Sequence, residues 1–334
     1  MHDVPSWLQI VPTPKTGKKN TKTMDILFLI LGLALILGGA NFLTDGSAAL
    51  AQRFKVSEFI IGLTVVAVGT STPELVVSLL SAINGQSDMA IGNVVGSNTF
   101  NVFMTLGVCA VVAPLALTRS NIRRDIPIGF AVSLILLACG YSGVISRPVG
   151  VVFVILYMLL MWYTIRSSKP EAGDAPDAPS TEKPKSMWLT LLMIVGGLAA
   201  LVGGGNLFLD SATAIARTLG VSELVIAITL VAGGTSLPEL ASSIVSLVKG
   251  KADMALGNVI GSNTANILLI LGTSASVTPL TLGSITIIDL YMVLLSSLVL
   301  FIAAFTFRKK AIDRWEGIIF LLIYVAYIYY LITR

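Results

Sequence analysis

Apolar positions in this chain gather into ten runs of roughly 20 residues, about 25–43, 60–83, 89–113, 125–141, 148–166, 188–209, 225–248, 254–277, 285–306 and 315–332. A helix of about 20 apolar residues crosses the ~30 Å hydrocarbon core of a bilayer, so the pattern predicts ten transmembrane helices. One interval stands apart. Residues 167–187 hold Pro170, Pro176, Pro179 and Pro184 among Glu, Asp, Ala, Ser and Lys. This composition cannot build a core and reads as a flexible connection. It splits the runs five and five. The expected organisation is a polar tail (1–23), a first five-helix unit (24–166), the linker (167–187) and a second five-helix unit (188–334).

Composition agrees with this pattern: 55% of residues are hydrophobic, 12% are charged and the mean hydropathy is +0.88. That excludes an ordinary soluble globular domain. The tail has three prolines, four lysines and no apolar stretch of its own, so it does not read as a signal peptide. Met24, directly before the first run, is an alternative start.

Charge gives an orientation. With ten spans the loops alternate sides, and 15 of the 22 basic residues fall on the side holding the 44–59, 118–124, 167–187, 249–253 and 307–314 loops. By the positive-inside rule that side is cytoplasmic and both termini lie outside the cell (inner) membrane. Basic residues spread over loops in this way are orientation signals, not a nucleic-acid surface. The two cysteines, Cys109 and Cys139, lie inside predicted spans and read as small packing residues.

The strongest signal is a block that occurs twice. Residues 56–107 and 221–272 align without a gap at an offset of 165, with 29 of 52 positions identical. Five spans per half is an odd number, so two related halves enter the membrane in opposite directions. The expected fold is therefore an all-α polytopic membrane protein, a 5+5 inverted-topology repeat with broken helices at the midplane. Beyond the block, Asn41 and Asp45 match Asn206 and Asp210, and Asp125 and Asp289 sit near the starts of the fourth and ninth spans. These aspartates read as interfacial helix-end residues.

Within the block, Gly69-Thr70-Ser71-Thr72-Pro73-Glu74 returns as Gly234-Thr235-Ser236-Leu237-Pro238-Glu239. Pro73 and Pro238 have no N–H, so each should break its helix and free backbone carbonyls. Broken helices at membrane depth are tolerated where they line a cavity or are buried in protein. Glu74 and Glu239 open the second half-helices, whose positive ends favour a carboxylate. Thr70 and Glu74 share a face, as do Thr235 and Glu239. Hydroxyl, carbonyl and carboxylate oxygens together suit a hard cation such as Ca2+ or Na+. No Lys or Arg lies in the central part of any span, which argues against a simple buried ion pair. A protonated, hydrogen-bonded glutamate is the remaining structural alternative.

One short connection later, Gly96-Ser97-Asn98-Thr99-Phe100-Asn101 returns as Gly261-Ser262-Asn263-Thr264-Ala265-Asn266. Ser97 and Asn101 share a helix face, as do Ser262 and Asn266. Such a run can be helix-packing glue. Its place after the Glu-Pro segment in both halves instead predicts that Ser97 and Asn101 approach Glu74, and that Ser262 and Asn266 approach Glu239.

These paired strings resemble the alpha-repeat signatures of the Na+/Ca2+ exchangers, within the cation/Ca2+ antiporter superfamily, over nearly all of the chain except tail and linker. The resemblance implies a secondary antiporter in which the second, third, seventh and eighth spans form the ion core and the first and sixth slide past it. Glu74 and Glu239 would be the shared Na+/Ca2+ carboxylates. Thr70 and Thr235 would add oxygens, with the backbone carbonyls of Ala67 and Ala232 nearby. Ser71, Ser97, Asn101, Ser236 and Ser262 would complete the Na+ sites. Asn266 departs from many relatives: prokaryotic and K+-dependent members often carry Asp there, and Asn is similar to the K+-independent animal exchangers.

No cofactor is implied beyond the transported Ca2+ and Na+, and no protein partner besides the lipid bilayer. His2 is the single histidine and lies in the tail. No nucleophile–base pair is evident, so an enzyme is not expected. Two other transporters stay open: an H+/Ca2+ antiporter, whose Glu motifs usually carry Gly-Asn before the Glu, and a cation channel.

Overall fold

The computed structural model describes residues 21–167, 186–221, 226, 232–283, 285, 287–306 and 310–333. Residues 1–20 of the expected tail, most of the linker, and residues 225 and 227–231 of the seventh predicted span lie outside the described residues; residues 21–23 of the expected tail instead open the first helix.

The described residues are mostly helical. α1 is Thr21–Phe54. α2 (Glu58–Thr70) and α3 (Thr72–Ile83) form one apolar pair bent by 46°. α4 (Ser87–Val112), α5 (Asn121–Ser142), α6 (Arg147–Ser167) and α7 (Met187–Thr218) follow. After a short turn of helix at Ala232–Gly234 come α8 (Leu237–Val248), α9 (Ala252–Val277), α10 (Ile287–Ala303) and α11 (Arg314–Thr333). Among the described residues seven helices are long and apolar enough to cross a membrane, eight if the bent pair is one span; α8 and α10 are shorter apolar helices. Large apolar side chains such as Leu27, Ile30, Val152, Leu159 and Val195 face outward, as lipid-facing positions do. This is a multi-pass membrane protein.

α1 and α7, of 34 and 32 residues, are longer than the ~20 residues a perpendicular crossing needs. They pack antiparallel along each other. A Cβ on Gly39 would lie 2.7 Å from the Gly197 carbonyl oxygen, and one on Gly197 would lie 2.8 Å from the Gly39 carbonyl oxygen. Only backbone without a side chain allows this approach, a general route to close contact between membrane helices.

The first predicted run ends at residue 43, yet α1 continues eleven residues further, to Phe54. Asp45 sits inside the helix, partly exposed, with its carboxylate paired to Lys249. The end comes at Lys55, whose φ of 55° is left-handed. There the N–H of Val56 reaches the Ala51 carbonyl (3.1 Å) and that of Lys55 the Gln52 carbonyl (3.3 Å), the bond pair of a Schellman cap. At the corresponding end of α7 the left-handed position is Gly220.

Two short strand pairs tie the halves together. β1 (Leu115–Ala116) pairs antiparallel with β4 (Ala311–Ile312), and β2 (Val144–Ile145) with β3 (Leu280–Thr281). Each pair joins a loop of one half to a loop of the other. The buried core lies around α4 and α9: Val94, Phe103, Leu106, Val259, Leu268 and Leu271 are all buried.

Candidate cation site

Each Glu-Pro motif breaks its helix one residue after the threonine. Ser71 adopts φ −80°, ψ 9°, and Ser236 adopts φ −90°, ψ 7°. Neither is helical, and the proline falls in the first turn of the next helix, where its missing N–H leaves no helical bond unmade. The carboxylates of Glu74 and Glu239 are thereby turned inward, and both residues are fully buried.

The nearest hydroxyls that meet them come from the opposite half. Ser71 Oγ donates to Glu239 Oε1 at 2.9 Å, and Ser236 Oγ donates to Glu74 Oε1 at 3.1 Å. Ser97 Oγ donates to the same Glu74 oxygen at 3.4 Å, as expected from its place on α4. Oε2 of each glutamate has no protein hydrogen-bond partner. Leaving a buried carboxylate oxygen unsatisfied is costly, which marks both oxygens as positions that a ligand would satisfy.

The hydrogen bonds of both threonine hydroxyls include one to an asparagine of the opposite half. Thr70 Oγ1 donates to Asn258 Oδ1 (3.2 Å), and also to the Val66 and Ala67 carbonyls (3.0 and 3.4 Å). Thr235 Oγ1 donates to Asn93 Oδ1 at 3.4 Å. The Ala67 carbonyl further accepts from the Ser71 N–H at 3.0 Å and from Ser262 Oγ at 3.5 Å. Ser262 thus rests against the first half's broken helix; its hydrogen bond goes to Ala67 and not to Glu239. For Ala232 only the backbone is described, at the start of the Ala232–Gly234 turn.

Asn101 and Asn266 are fully buried, and each opens a π-helical stretch, Asn101–Leu106 and Asn266–Leu271. Such bulges frequently accompany functional sites. Both amide atoms of Asn101 lack a protein partner. Asn266 Nδ2 donates to Asn98 Oδ1 at 3.0 Å, while its Oδ1 has no partner. Asn266 therefore reaches across to the first half. Asn98 and Asn263 donate to each other's backbone carbonyls, both at 3.4 Å, which joins α4 to α9 at their middles.

Asn93 and Asn258 belong to the site's frame and were not singled out from the sequence. Asn93 Nδ2 donates to the Glu74 carbonyl (3.2 Å) and to Ser78 Oγ (2.9 Å). Asn258 Nδ2 donates to the Glu239 carbonyl (3.3 Å), Ser242 Oγ (2.9 Å) and Ser243 Oγ (3.0 Å). Each amide fixes one glutamate's backbone and takes a threonine hydroxyl from the other half. Both lie in the repeated block, in Gly92-Asn93-Val94 and its counterpart Gly257-Asn258-Val259, and that recurrence is the available signal.

Among the described residues no group of three or more His, Cys, Asp or Glu could hold a metal ion. A cation here would be held by two carboxylates and neutral oxygens, a donor set for Ca2+ or Na+.

A buried carboxylate pair, hydroxyls crossing between two related halves and helices broken at that level define a membrane ion transporter. Comparison with known proteins gives the family. The sequence model of the sodium/calcium exchanger protein family matches residues 24–166 and 189–333, and the chain belongs to that family, one of antiporters and not of enzymes. It is 34% identical to the putative antiporter CaxA of Alkalimonas amylolytica over 92% of this chain and 98% of that protein. It is 31% identical to the sodium/calcium exchanger MaX1 of Methanosarcina acetivorans over 92% and 98%. Among solved structures, the sodium-calcium exchanger NCX_Mj superposes with a TM-score of 0.80 at 32% identity, covering 92% of this chain and 99% of that one.

Proposed function

We propose that this protein exchanges Na+ for Ca2+ by alternating access at one shared site built on Glu74 and Glu239. The observation that carries this reading is the crossed pair of hydrogen bonds, Ser71 to Glu239 and Ser236 to Glu74. It makes the two carboxylates one site assembled from both halves, and leaves one oxygen of each without a protein partner.

Two ionised glutamates carry a formal charge of about −2. One Ca2+ or two Na+ neutralise it, so the two loads compete for the same oxygens. The neutralised site is enclosed in low dielectric more readily than the bare one, because an uncompensated buried charge is strongly destabilising. That difference suppresses empty return and enforces counter-transport. Asn101, Ser97, Ser262, Thr70, Thr235 and the Ala67 and Ala232 carbonyls supply neutral oxygens around the carboxylates. A third Na+ makes the cycle electrogenic. Asn266 supplies an amide where a third carboxylate would add charge, which favours exchange without K+.

The scaffold for this cycle is the ten-helix 5+5 inverted repeat. The broken α2–α3 pair supports it, as do the two strand pairs that exchange loops between halves. In this reading α8, 12 residues long and so about 18 Å, is the second half of a seventh, broken span, and α10 completes the ninth. The basic loops face the cytoplasm.

The test is Ca2+ uptake into proteoliposomes loaded with Na+ and diluted into Na+-free buffer, with and without K+. Uptake that needs the outward Na+ gradient and ignores K+ is expected. Uptake driven by a proton gradient and indifferent to Na+ overturns the choice of driving ion.

A further inference from the structure

On the face that carries the basic loops, two lysines of one tight turn are tied to the helices that pass in front of it. Lys249 and Lys251 flank Gly250 between α8 and α9. Lys249 Nζ donates to Asp45 Oδ1 at 2.5 Å and to the Asn41 carbonyl at 3.4 Å, both on α1. Lys251 Nζ pairs with Glu58 Oε1 at 2.5 Å, at the start of α2. Further along the same seam the Thr44 and Ser246 hydroxyls share a buried hydrogen bond of 3.0 Å. Ala241 and Val245 of α8 pack against the cluster that holds Ile36, Ala40 and Leu43 of α1.

The internal repeat tells what stands at the opposite face. At the offset of 165, Asp45 becomes Asp210 and Glu58 becomes Glu223, so both carboxylates are kept. Lys249 becomes Asn84 and Lys251 becomes Gln86, so both cations are lost. The turns themselves are alike: Gly85 and Gly250 have φ of 75° and 76°, and the bonds Gln86 N–H to Ser81 and Lys251 N–H to Ser246 are both 2.8 Å. The side-chain charge is what differs. Packing follows the same asymmetry: Val76 and Leu80, the counterparts of Ala241 and Val245, are 49% and 53% exposed.

We infer that Lys249 and Lys251 form an electrostatic latch that holds α1 and α2 against the α8–α9 turn and biases the resting protein toward the state closed on the basic-loop face. The inference rests on the alternating-access reading above, in which α1 and α7 move against the core. With neutral amides at the matching positions Asn84 and Gln86, the opposite face lacks these two cations. The paired side chains are 24% to 35% exposed, so salt screens them and each contributes modestly. Together the two pairs shift the ratio of closed to open states roughly three- to tenfold, the scale of two exposed ion pairs.

The test is the distance between nitroxide labels at Gln52→Cys on α1 and Val248→Cys on α8, both exposed, in full-length protein carrying Cys109→Ala and Cys139→Ala. Lys249→Gln with Lys251→Gln is expected to raise the ratio of wide to narrow separations about three- to tenfold. Concentrated choline chloride should do the same to the latched protein and nothing to the double variant. The charge exchange Asp45→Lys with Lys249→Asp should return the narrow population. The inference is overturned if the double variant matches the parent at low ionic strength, or if choline chloride leaves the parent unmoved, a readout that needs no folded variant. A shift in distances together with absent Na+-driven Ca2+ uptake by the unlabelled protein would instead remove the exchange reading and leave the latch standing.

Discussion

The bonds that hold the two glutamates follow the internal repeat, while the helices around the centre depart from it. At the centre each glutamate receives a serine hydroxyl from the other half, at 2.9 and 3.1 Å. Each glutamate's backbone carbonyl is held by an asparagine amide, at 3.2 and 3.3 Å. At the periphery, α1 is bound to α8 by a buried hydroxyl pair and by Lys249, whereas the matching surface of α3 is left exposed at Val76 and Leu80. The difference teaches which parts of a duplicated transporter must stay equivalent. A cation shared between two carboxylates needs matched donors from both sides. A protein that opens to one side at a time needs its flanking helices to differ in any given state.

The comparison breaks most severely at the carboxylates. Glu74→Gln or Glu239→Gln keeps the side-chain volume and removes half of the site's charge. Each is expected to lower Na+-driven Ca2+ uptake by at least ~100-fold, since losing one partner of a buried charged set costs about 3–5 kcal/mol. Wild-type uptake in either variant would contradict the assignment. Ser71→Ala and Ser236→Ala sharpen the comparison. A hydrogen bond to a charged group is worth about 1.5–3 kcal/mol, so each should reduce uptake on the order of tenfold. The two losses should agree within a factor of about three, the scatter expected of a single such interaction. A large loss in one and none in the other would show that the centre is not functionally symmetric. The smallest effect is that of the latch lysines, which alter the balance of states and leave the site's donors untouched.

The legible and the illegible parts of this structure divide along the same line. The break at Pro73 follows from a missing N–H, a local fact, and the observed 46° bend lies there. That Ser97 leans on Glu74 follows from helix periodicity and a short connection. That Ser71 serves Glu239 depends on how the halves meet, and no spacing within one half contains that distance. The same holds for the bonds of Ser262 to Ala67 and of Asn266 to Asn98, which also cross between the halves. Asn93 and Asn258 passed as ordinary polar residues because their role is to hold backbone. α1 runs eleven residues past its apolar run, through Asp45, Gln52 and Arg53, and the partner of Asp45, Lys249, lies 204 positions away. The end of α1 carries no glycine to announce it, since Lys55 takes the left-handed position that Gly220 takes after α7.

The account's central claim is that the two glutamates make one site for which Ca2+ and Na+ compete. Equilibrium binding of radioactive Ca2+ to the purified protein, titrated with NaCl against choline chloride at constant ionic strength, tests it most directly. The expected result is saturable binding of a single Ca2+ per chain, displaced by Na+ with a Hill coefficient above one and indifferent to choline. Ca2+ that stays bound at saturating Na+ would mean that the two ions occupy separate sites, and would contradict exchange through a shared pair of carboxylates.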